Sequence, residues 1–430
     1  MSNHRNLIIT ICAAVFVLVL SMIIAFSAFP AQAAVDPVVL RIVLWDYEKN
    51  IYDQRIIEAF ERDNPDIRID VISFPAEYYI NSLMTLMDTH MPADIIYVNQ
   101  QQTNFPPLAE RDILLGLDDF ISANEIDLSC YPDLGAFRDR QTGELLALPY
   151  RKDKLHLFYN RSLFDAAGMP YPHDGITWYE FASIAEELHE RLAEQGSDDY
   201  GALFTLNDWR LIHMFNGGYF DYLSDSADGI YSGLLLMGGL EASGSVPIAS
   251  DLERLGVSQR YFELGQFGMF VHGTWYTHYL YHDTEDGVIG FEWGFTSCPV
   301  WEKGETNDDA WMDCLSILKN SEHQEEAFRF VQYATGPEGA AIMAREHMMP
   351  AYSDDSISGI FAMLEQAGSL PPGQFETSFD TPSAMLSPVE SDLVAEFSSI
   401  FSEAKLDLIT GEEMIQKMHD ARAKALDNSP

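Results

Sequence analysis

The chain has 430 residues, which is too long for one small hydrophobic core and predicts two or three domains, or two lobes that share the chain. Its 67 acidic residues outweigh 25 basic ones, so the formal net charge is −42. Nucleic acids and anionic membrane surfaces bind through cationic patches, so neither is expected to be a partner of the folded part. The acidity is therefore interpreted as a solvated surface that aids solubility.

The N-terminus has the pattern of an export signal. One arginine precedes an unbroken apolar run over residues 7–29, and Ala-Gln-Ala at 31–33 fits a small-x-small cleavage site. The sequence therefore predicts a signal peptide over residues 1–33 and an exported, periplasmic or extracellular, mature chain. The apolar run is also long enough to span a bilayer, so retention at the membrane by an uncleaved anchor stays open.

Strands and helices alternate at the start of the mature chain. "VVLRIVLWDYE", ending at Trp45-Asp46, "IRIDVISF" and "ADIIYVNQQ" predict strands. The helices between them are predicted at "IYDQRIIEAFERD", which Asn64-Pro65 ends, and at "YYINSLMTLMDTH". This order predicts a parallel sheet with right-handed crossovers. Ligands of such sheets bind beyond the carboxyl ends of the strands, which here are Trp45–Glu48 and Asn99–Gln102.

The pattern changes near residue 149, where "ALPY" breaks one strand and "KLHLFYN" begins another. Further on, Thr177 and Glu180 predict a capping box at the start of a helix with an apolar stripe. A second capping box is predicted at Ser321 and Gln324, before a helix that ends at Gly-Pro 336–337.

Common catalytic and metal signatures are missing from the sequence. It has no GxGxxG, P-loop, HExxH or GxSxG motif. His272 and His278 are six residues apart, which fits neither one helix face nor one strand face, so no metal or other cofactor is predicted. Cys130, Cys298 and Cys314 lack CxxC spacing; Cys298–Cys314 is a candidate disulfide, with buried free thiols as the alternative.

Aromatic residues at strand ends and glycine turns are the clearest candidates for a binding site. Four of the seven tryptophans have this placement: Trp45, Trp209, Trp275 and Trp311. Aromatic faces suit the apolar C–H faces of a sugar ring, and acids, amides and arginine suit its hydroxyl groups. For each tryptophan the alternative is a place in the hydrophobic core.

The order of these segments resembles the extracellular solute-binding proteins of ABC importers, in particular the cluster that contains maltose-binding and other sugar-binding proteins. The likeness covers essentially the whole mature chain, and "YNRSLFDAAGMPYP" followed by "TWYEF" is its most specific part. The other matching pieces, in order, are "LRIVLWDY", "IIEAFERDNPDIRIDV", "PADIIYVN", "GQFGMFVHGTWY" and "LKNSEHQEEAFRFVQYATGPEG".

This resemblance implies an α/β, two-lobed periplasmic-binding-protein fold (type II-like), in which each lobe is a mixed, mainly parallel sheet flanked by helices and a hinge joins the lobes. Lobe I would comprise residues 34–149 and 312–350, and lobe II residues 150–311 and 351–430. The positions that match the family's ligand contacts are Trp45, Asp46, Glu48, Gln101, Gln102, Arg151, Asp153, Asn216, Trp275 and Trp311.

The resemblance implies a monomeric receptor without enzymatic activity or cofactor, which closes on a sugar or oligosaccharide and delivers it to an ABC permease. The chain lacks the lipobox of many Gram-positive members, and "NQQQ" replaces the aromatic or acidic residues of some sugar binders. Two alternatives stay open. One is a binding protein for a polyol phosphate or a peptide, for which only Arg151, Lys152 and Lys154 form a basic cluster; the other is a secreted carbohydrate-active enzyme.

Overall fold

The computed structural model describes residues 36–89, 92–99, 105–132, 134–218, 220–255, 260–307, 310–368, 370 and 388–427. The predicted signal peptide and the predicted ligand contacts Gln101 and Gln102 lie outside the described residues. Among the described residues, no helix combines the length and the apolar character that a bilayer span requires.

Strands and helices alternate along the described chain. The first half contains β1 (Val38–Trp45), α1 (Ile51–Asp63), β2 (Ile67–Phe74), α2 (Tyr79–Asp88), β3 (Ile95–Asn99), α3 (Phe105–Glu110), α4 (Asp118–Ala123), β4 (Leu148–Asn160), α5 (Arg161–Ala167), α6 (Trp178–Glu194), β5 (Tyr200–Leu203) and α7 (Asp208–Asn216). The second half contains α8 (Asp228–Ser243), α9 (Ala249–Leu255), α10 (Arg260–Glu263), β6 (Phe267–Gly273), α11 (Tyr276–Glu285), β7 (Trp293–Ser297), β8 (Ala310–Ile317), α12 (Gln324–Thr335), α13 (Pro337–Arg345), α14 (Asp355–Gln366), α15 (Pro388–Lys405) and α16 (Gly411–Asp427).

The described strands form one mixed sheet in the order β2-β1-β3-β8-β4-β6-β5, with β7 paired to β4 beside this path. The β1–β2, β1–β3 and β5–β6 pairs are parallel, whereas β8 is antiparallel to β3 and β4, and β4 is antiparallel to β6 and β7. β4 pairs with different strands along its length. Its residues 148–154 pair with β8, and its residues 155–160 pair with β6 and β7. One continuous strand therefore connects the two groups of strands.

The hydrophobic core is divided along the same line. One cluster joins β1, β3, β8 and α12, a second joins α6, α7, α15 and α16, and a third joins β5, β6, α11 and α14. Trp275 packs against the edge of all three clusters. The predicted α/β class is confirmed, while the lobe boundaries after residues 149, 311 and 350 stay a prediction.

The two predicted capping boxes had different outcomes. The first is confirmed: Thr177 Oγ1 accepts from the Glu180 N–H at 3.1 Å, and Glu180 Oε2 accepts from the Thr177 N–H at 2.9 Å. The second is wrong, because α12 begins after His323 and the Gln324 amide donates to the carbonyl of Lys319 at 2.8 Å.

Cys298 and Cys314 are both buried, and the candidate disulfide between them is not formed. Cys314 belongs to the cluster around β1, β3 and β8, and Cys298 belongs to the cluster around α6 and α7. The two cysteines therefore lie in separate hydrophobic clusters.

Candidate ligand-binding site

The carboxyl end of β1 presents an aromatic cluster. Trp45 is 8% exposed, and its ring centroid lies 4.1 Å from that of Tyr97 and 4.9 Å from that of Tyr79. The Tyr79 hydroxyl donates to the Tyr97 carbonyl at 2.7 Å, which ties α2 to β3 beneath the tryptophan. The last four residues of β1 are all buried, and Trp45, the last of them, keeps only a small part of its surface exposed.

The loop after β1 carries two predicted ligand contacts with carboxylates. Asp46 has φ of 50°, a left-handed conformation that aspartate tolerates better than most residues, and its carboxylate accepts from Lys49 Nζ at 3.1 Å. Glu48 is exposed and accepts from the Ser73 hydroxyl at 2.8 Å. Both carboxylates keep oxygen lone pairs for further donors.

A buried network of charges lies where β4 passes from β8 to β6. Arg151 Nε donates to Asp313 Oδ2 at 2.6 Å and lies 3.4 Å from Asp153 Oδ2, while its Nη1 donates to the Tyr52 hydroxyl at 2.7 Å. The guanidinium carbon also lies 5.9 Å from the centre of the Trp45 ring. Burial raises the pKa of the Asp153 carboxyl to about 6, although the charge of Arg151 lowers it. Low solvent access therefore makes each partner in this network costly to remove.

The turn after β6 places Trp275 beside this network. A Cβ on Gly273 would lie 1.6 Å from Cζ3 of Trp275, so the indole folds back over a position that only glycine leaves empty. The ring is half-buried, and its centroid lies 5.4 Å from that of Trp311 and 4.8 Å from that of His272. Trp275 therefore keeps an accessible part on a well-supported ring.

Thr274 connects this turn to β4. Its hydroxyl donates to Asp153 Oδ1 at 2.8 Å and accepts from the Lys154 N–H at 3.2 Å, and its own N–H donates to the Lys154 carbonyl at 2.9 Å. The bond from Thr274 to Asp153 links the turn that holds Trp275 to the network of Arg151, which lies beside Trp45. Residues that are distant in sequence are thus brought together.

Two further predicted contacts lie on the side of α7. Trp311 is 2% exposed in β8, and the guanidinium carbon of Arg210 stacks 3.4 Å from its ring centre. Trp311 thus supports Trp275 through an edge-to-face contact of the two rings. Asn216 is half-buried at the end of α7, and its amide donates to Asp225 Oδ2 at 3.3 Å.

The predicted set omitted Arg210 and Asp313. Arg210 is buried between Trp311 and Trp209, whose ring centre is 4.1 Å from its guanidinium carbon. Asp313 is 1% exposed and also accepts from the Asn99 amide. A single acid inside the apolar run "AWMDCLSI" was a signal for Asp313, because a buried carboxylate needs a partner. Arg210 had only the neighbouring tryptophan as a signal.

The two histidines of this region are core residues. His272 stacks on Phe270 at 4.7 Å, and burial lowers its pKa to about 3. His278 lies edge-on to Tyr52 at 5.1 Å, and burial lowers its pKa to about 4. Over the described ranges, no three His, Cys, Asp or Glu side chains converge as a metal site.

Comparison with known proteins identifies the family. The family model described as bacterial extracellular solute-binding protein matches residues 46–341. The chain belongs to this family. A candidate binding protein of Brucella abortus (strain 2308) is 21% identical over 323 residues, which are 72% of this chain and 74% of that protein.

Solved structures share the fold at low sequence identity. An ABC substrate-binding protein of Listeria monocytogenes, in complex with cycloalternan, has a TM-score of 0.76 at 19% identity and covers 92% of this chain and 100% of its own. The GacH receptor of Streptomyces glaucescens has a TM-score of 0.72 at 16% identity, with coverage of 92% and 100%. A sugar transporter of Rhizobium etli, in an open conformation, has a TM-score of 0.69 at 22% identity, with coverage of 90% and 99%. The two-lobed periplasmic-binding-protein fold is therefore confirmed, and the family and these neighbours are binding proteins.

Proposed function

We propose that this solute-binding protein is the receptor of an ABC importer, and that it binds a sugar or oligosaccharide between its lobes and delivers it to the permease. The observation that carries this proposal is the half-buried ring of Trp275, supported by Trp311 and tied through Thr274 to the charge network of β4. A rigid aromatic face beside fixed polar groups suits a sugar ring.

In this proposal the site residues divide into two roles. Trp275 and the small exposed part of Trp45 contact the apolar face of the sugar, and Asp46, Glu48 and Asn216 accept from or donate to its hydroxyl groups. Closure removes these polar groups from water, so each must find a partner on the ligand. The remaining members of the proposed site are Gln101, Gln102, Arg151, Asp153 and Trp311.

The pairing of Arg151 favours a neutral ligand over a phosphorylated one. Its guanidinium already contacts two carboxylates, those of Asp313 and Asp153. An anionic ligand at this place would face both carboxylates at short range, where repulsion is strong because water is excluded. A neutral sugar meets no such penalty.

The same network argues against a glycoside hydrolase. Asp153 and Asp313 contact one arginine nitrogen and are therefore close together, as a catalytic pair would be. Both are almost completely buried, however: Asp153 is 0% and Asp313 1% exposed, and Asp313 Oδ2 accepts from Arg151 while Asp153 Oδ1 accepts from Thr274, so burial argues against their contact with a glycosidic oxygen. A binding role without catalysis accounts for both carboxylates.

A thermal-shift screen tests the proposal, because a ligand that binds only the folded state raises the melting temperature. We expect at least one sugar or oligosaccharide in a neutral panel to raise it in a saturable way. If polyol phosphates or peptides raise it and no sugar does, the proposed ligand class is wrong. Stimulation of a co-expressed ABC permease by the loaded protein would test delivery separately.

A further inference from the structure

A cavity of about 140 Å³ lies between α7, α8, α9 and the end of α15. None of the predicted ligand contacts lines it. The apolar part of its wall consists mainly of Phe204, Leu206, Leu211, Met237 and Val246. All five of these side chains are buried, so this part of the wall is continuous with the hydrophobic core.

The volume of the cavity suits a small organic molecule. A cavity of about 150 Å³ accepts a molecule the size of benzene, and this cavity has a comparable volume. Two charged side chains line the cavity, and both already have partners. Glu241 accepts from the Ala249 N–H at 3.0 Å, and Lys405 Nζ pairs with Asp208 at 2.6 Å.

Glu241 and Thr205 give the cavity two directional features. Thr205 Oγ1 is buried and has no hydrogen-bond partner among the described residues. Glu241 Oε1 accepts from the backbone of Ala249, and a carboxylate oxygen has lone pairs for a second donor. Burial raises the pKa of the Glu241 carboxyl, which belongs to a half-buried residue of the cavity wall. A ligand that donates one hydrogen bond and is otherwise apolar matches this arrangement.

We propose that this cavity is a second binding site, for a small aromatic or aliphatic molecule that carries a single hydroxyl group. The apolar body of such a molecule fills the space between Phe204, Leu211 and Met237. Its hydroxyl donates to Glu241. The chemical class is that of phenol and short-chain alcohols, which is distinct from the polyhydroxylated ligand of the inter-lobe site.

The position of the cavity connects it to the inter-lobe site through α7. Leu211 lines the cavity, and the preceding residue, Arg210, stacks on Trp311. Lys405, also in the cavity wall, pairs with Asp208 in the first turn of the same helix. An occupant therefore contacts the helix that supports the tryptophans, and its binding changes the affinity for sugar. This coupling rests on the proposed function, whereas the existence of the second site does not.

Phenol is the probe for the site. In the wild-type protein we expect a saturable rise in melting temperature with phenol and a transfer of saturation to phenol in ligand-observed NMR. Val246→Phe fills the cavity and should abolish both signals. Leu235→Phe adds the same ring at a 59%-exposed position of α8 and should keep them.

Two results would overturn the site: no saturable phenol signal in the wild type, or an equal signal in Val246→Phe. If Val246→Phe does not fold, a xenon-pressurised crystal of the wild type tests the site instead. Xenon density in this cavity supports the site, and xenon density found only elsewhere in the protein refutes it. For the coupling, the dissociation constant of the sugar found by thermal shift should change at least twofold at saturating phenol. Equal sugar dissociation constants with and without phenol refute the coupling but not the second site. A protein that binds phenol and no sugar contradicts the proposed function only.

Discussion

Replacement of Trp275 by alanine separates a ligand contact from a core residue. The ring is half-buried, so the fold uses one part of it and the proposed sugar uses the other. Its supports, Trp311 and His272, are themselves buried, so we expect them to keep their positions in the variant. Truncation of a fully buried tryptophan to alanine lowers the unfolding free energy by about 3–5 kcal/mol. Truncation of a half-buried one should therefore lower it by about 1–2 kcal/mol.

The effect on sugar binding follows from the surface that remains. A tryptophan buries roughly 150–250 Å² when it is covered completely. If the sugar covers about 80 Å² of the exposed part, the lost contribution is about 2 kcal/mol at ~25 cal/mol per Å². The dissociation constant should therefore rise about 30-fold.

Titration calorimetry with the sugar found by thermal shift measures this change, and urea unfolding measures stability. Trp293→Ala is the matched control, since Trp293 is also half-buried but stacks on Phe295 in β7 and donates to Thr284. The control should lose similar stability and keep its affinity. An unchanged sugar affinity in Trp275→Ala would refute the stacking role and make the ring part of the core.

Three further predictions concern the surroundings of this ring. Gly273→Ala places a Cβ where the Trp275 ring lies, so it should weaken sugar binding about tenfold in calorimetry; unchanged binding would mean that the ring moves without consequence. Asp313→Ala leaves Arg151 without its 2.6 Å partner and should cost about 3 kcal/mol in urea unfolding, and a cost below about 1 kcal/mol would contradict the network. Burial lowers the pKa of His156 to about 3, so its neutral form contributes stability that is present above pH ~6.5 and is lost as the pH falls towards 3. His156→Phe should therefore reduce the pH slope of the unfolding free energy between pH 6 and 4.5 by up to about 1.4 kcal/mol per pH unit, and an unchanged slope would contradict a buried neutral imidazole.

Local patterns were sufficient for the first part of the fold. The apolar run at 38–45 became β1, and the predicted end of the first helix at Asn64 agrees with α1, which ends at Asp63. The Thr177 capping box was also predictable, because both partners lie within one turn of helix. The second box failed for a long-range reason. The Ser321 hydroxyl donates to Asp94, 227 residues earlier, and no local pattern contains that contact.

The site depends on contacts of the same long range. Arg151 and Asp313 are 162 residues apart, and Asp153 and Thr274 are 121 residues apart. Residue type alone also did not separate the tryptophans: Trp311 occupies a strand in which all eight residues are buried, whereas Trp275 caps a helix at the meeting point of three cores. Composition indicated which kinds of side chain could contact a ligand. Only the tertiary packing distinguishes a supporting ring from an accessible one.

The course of β4 gives a physical reason for the position of the site. Arg151 and Asp153 lie in the part of the strand that pairs with β8, and the following residues pair with β6 and β7. The hydrogen bond from Thr274 to Asp153 crosses this change of partners. Any movement of one group of strands relative to the other therefore acts on the turn that holds Trp275. A sugar stacked on that ring would be bound most tightly in the arrangement that keeps the Thr274–Asp153 bond, so ligand binding and hinge closure would stabilise the same state.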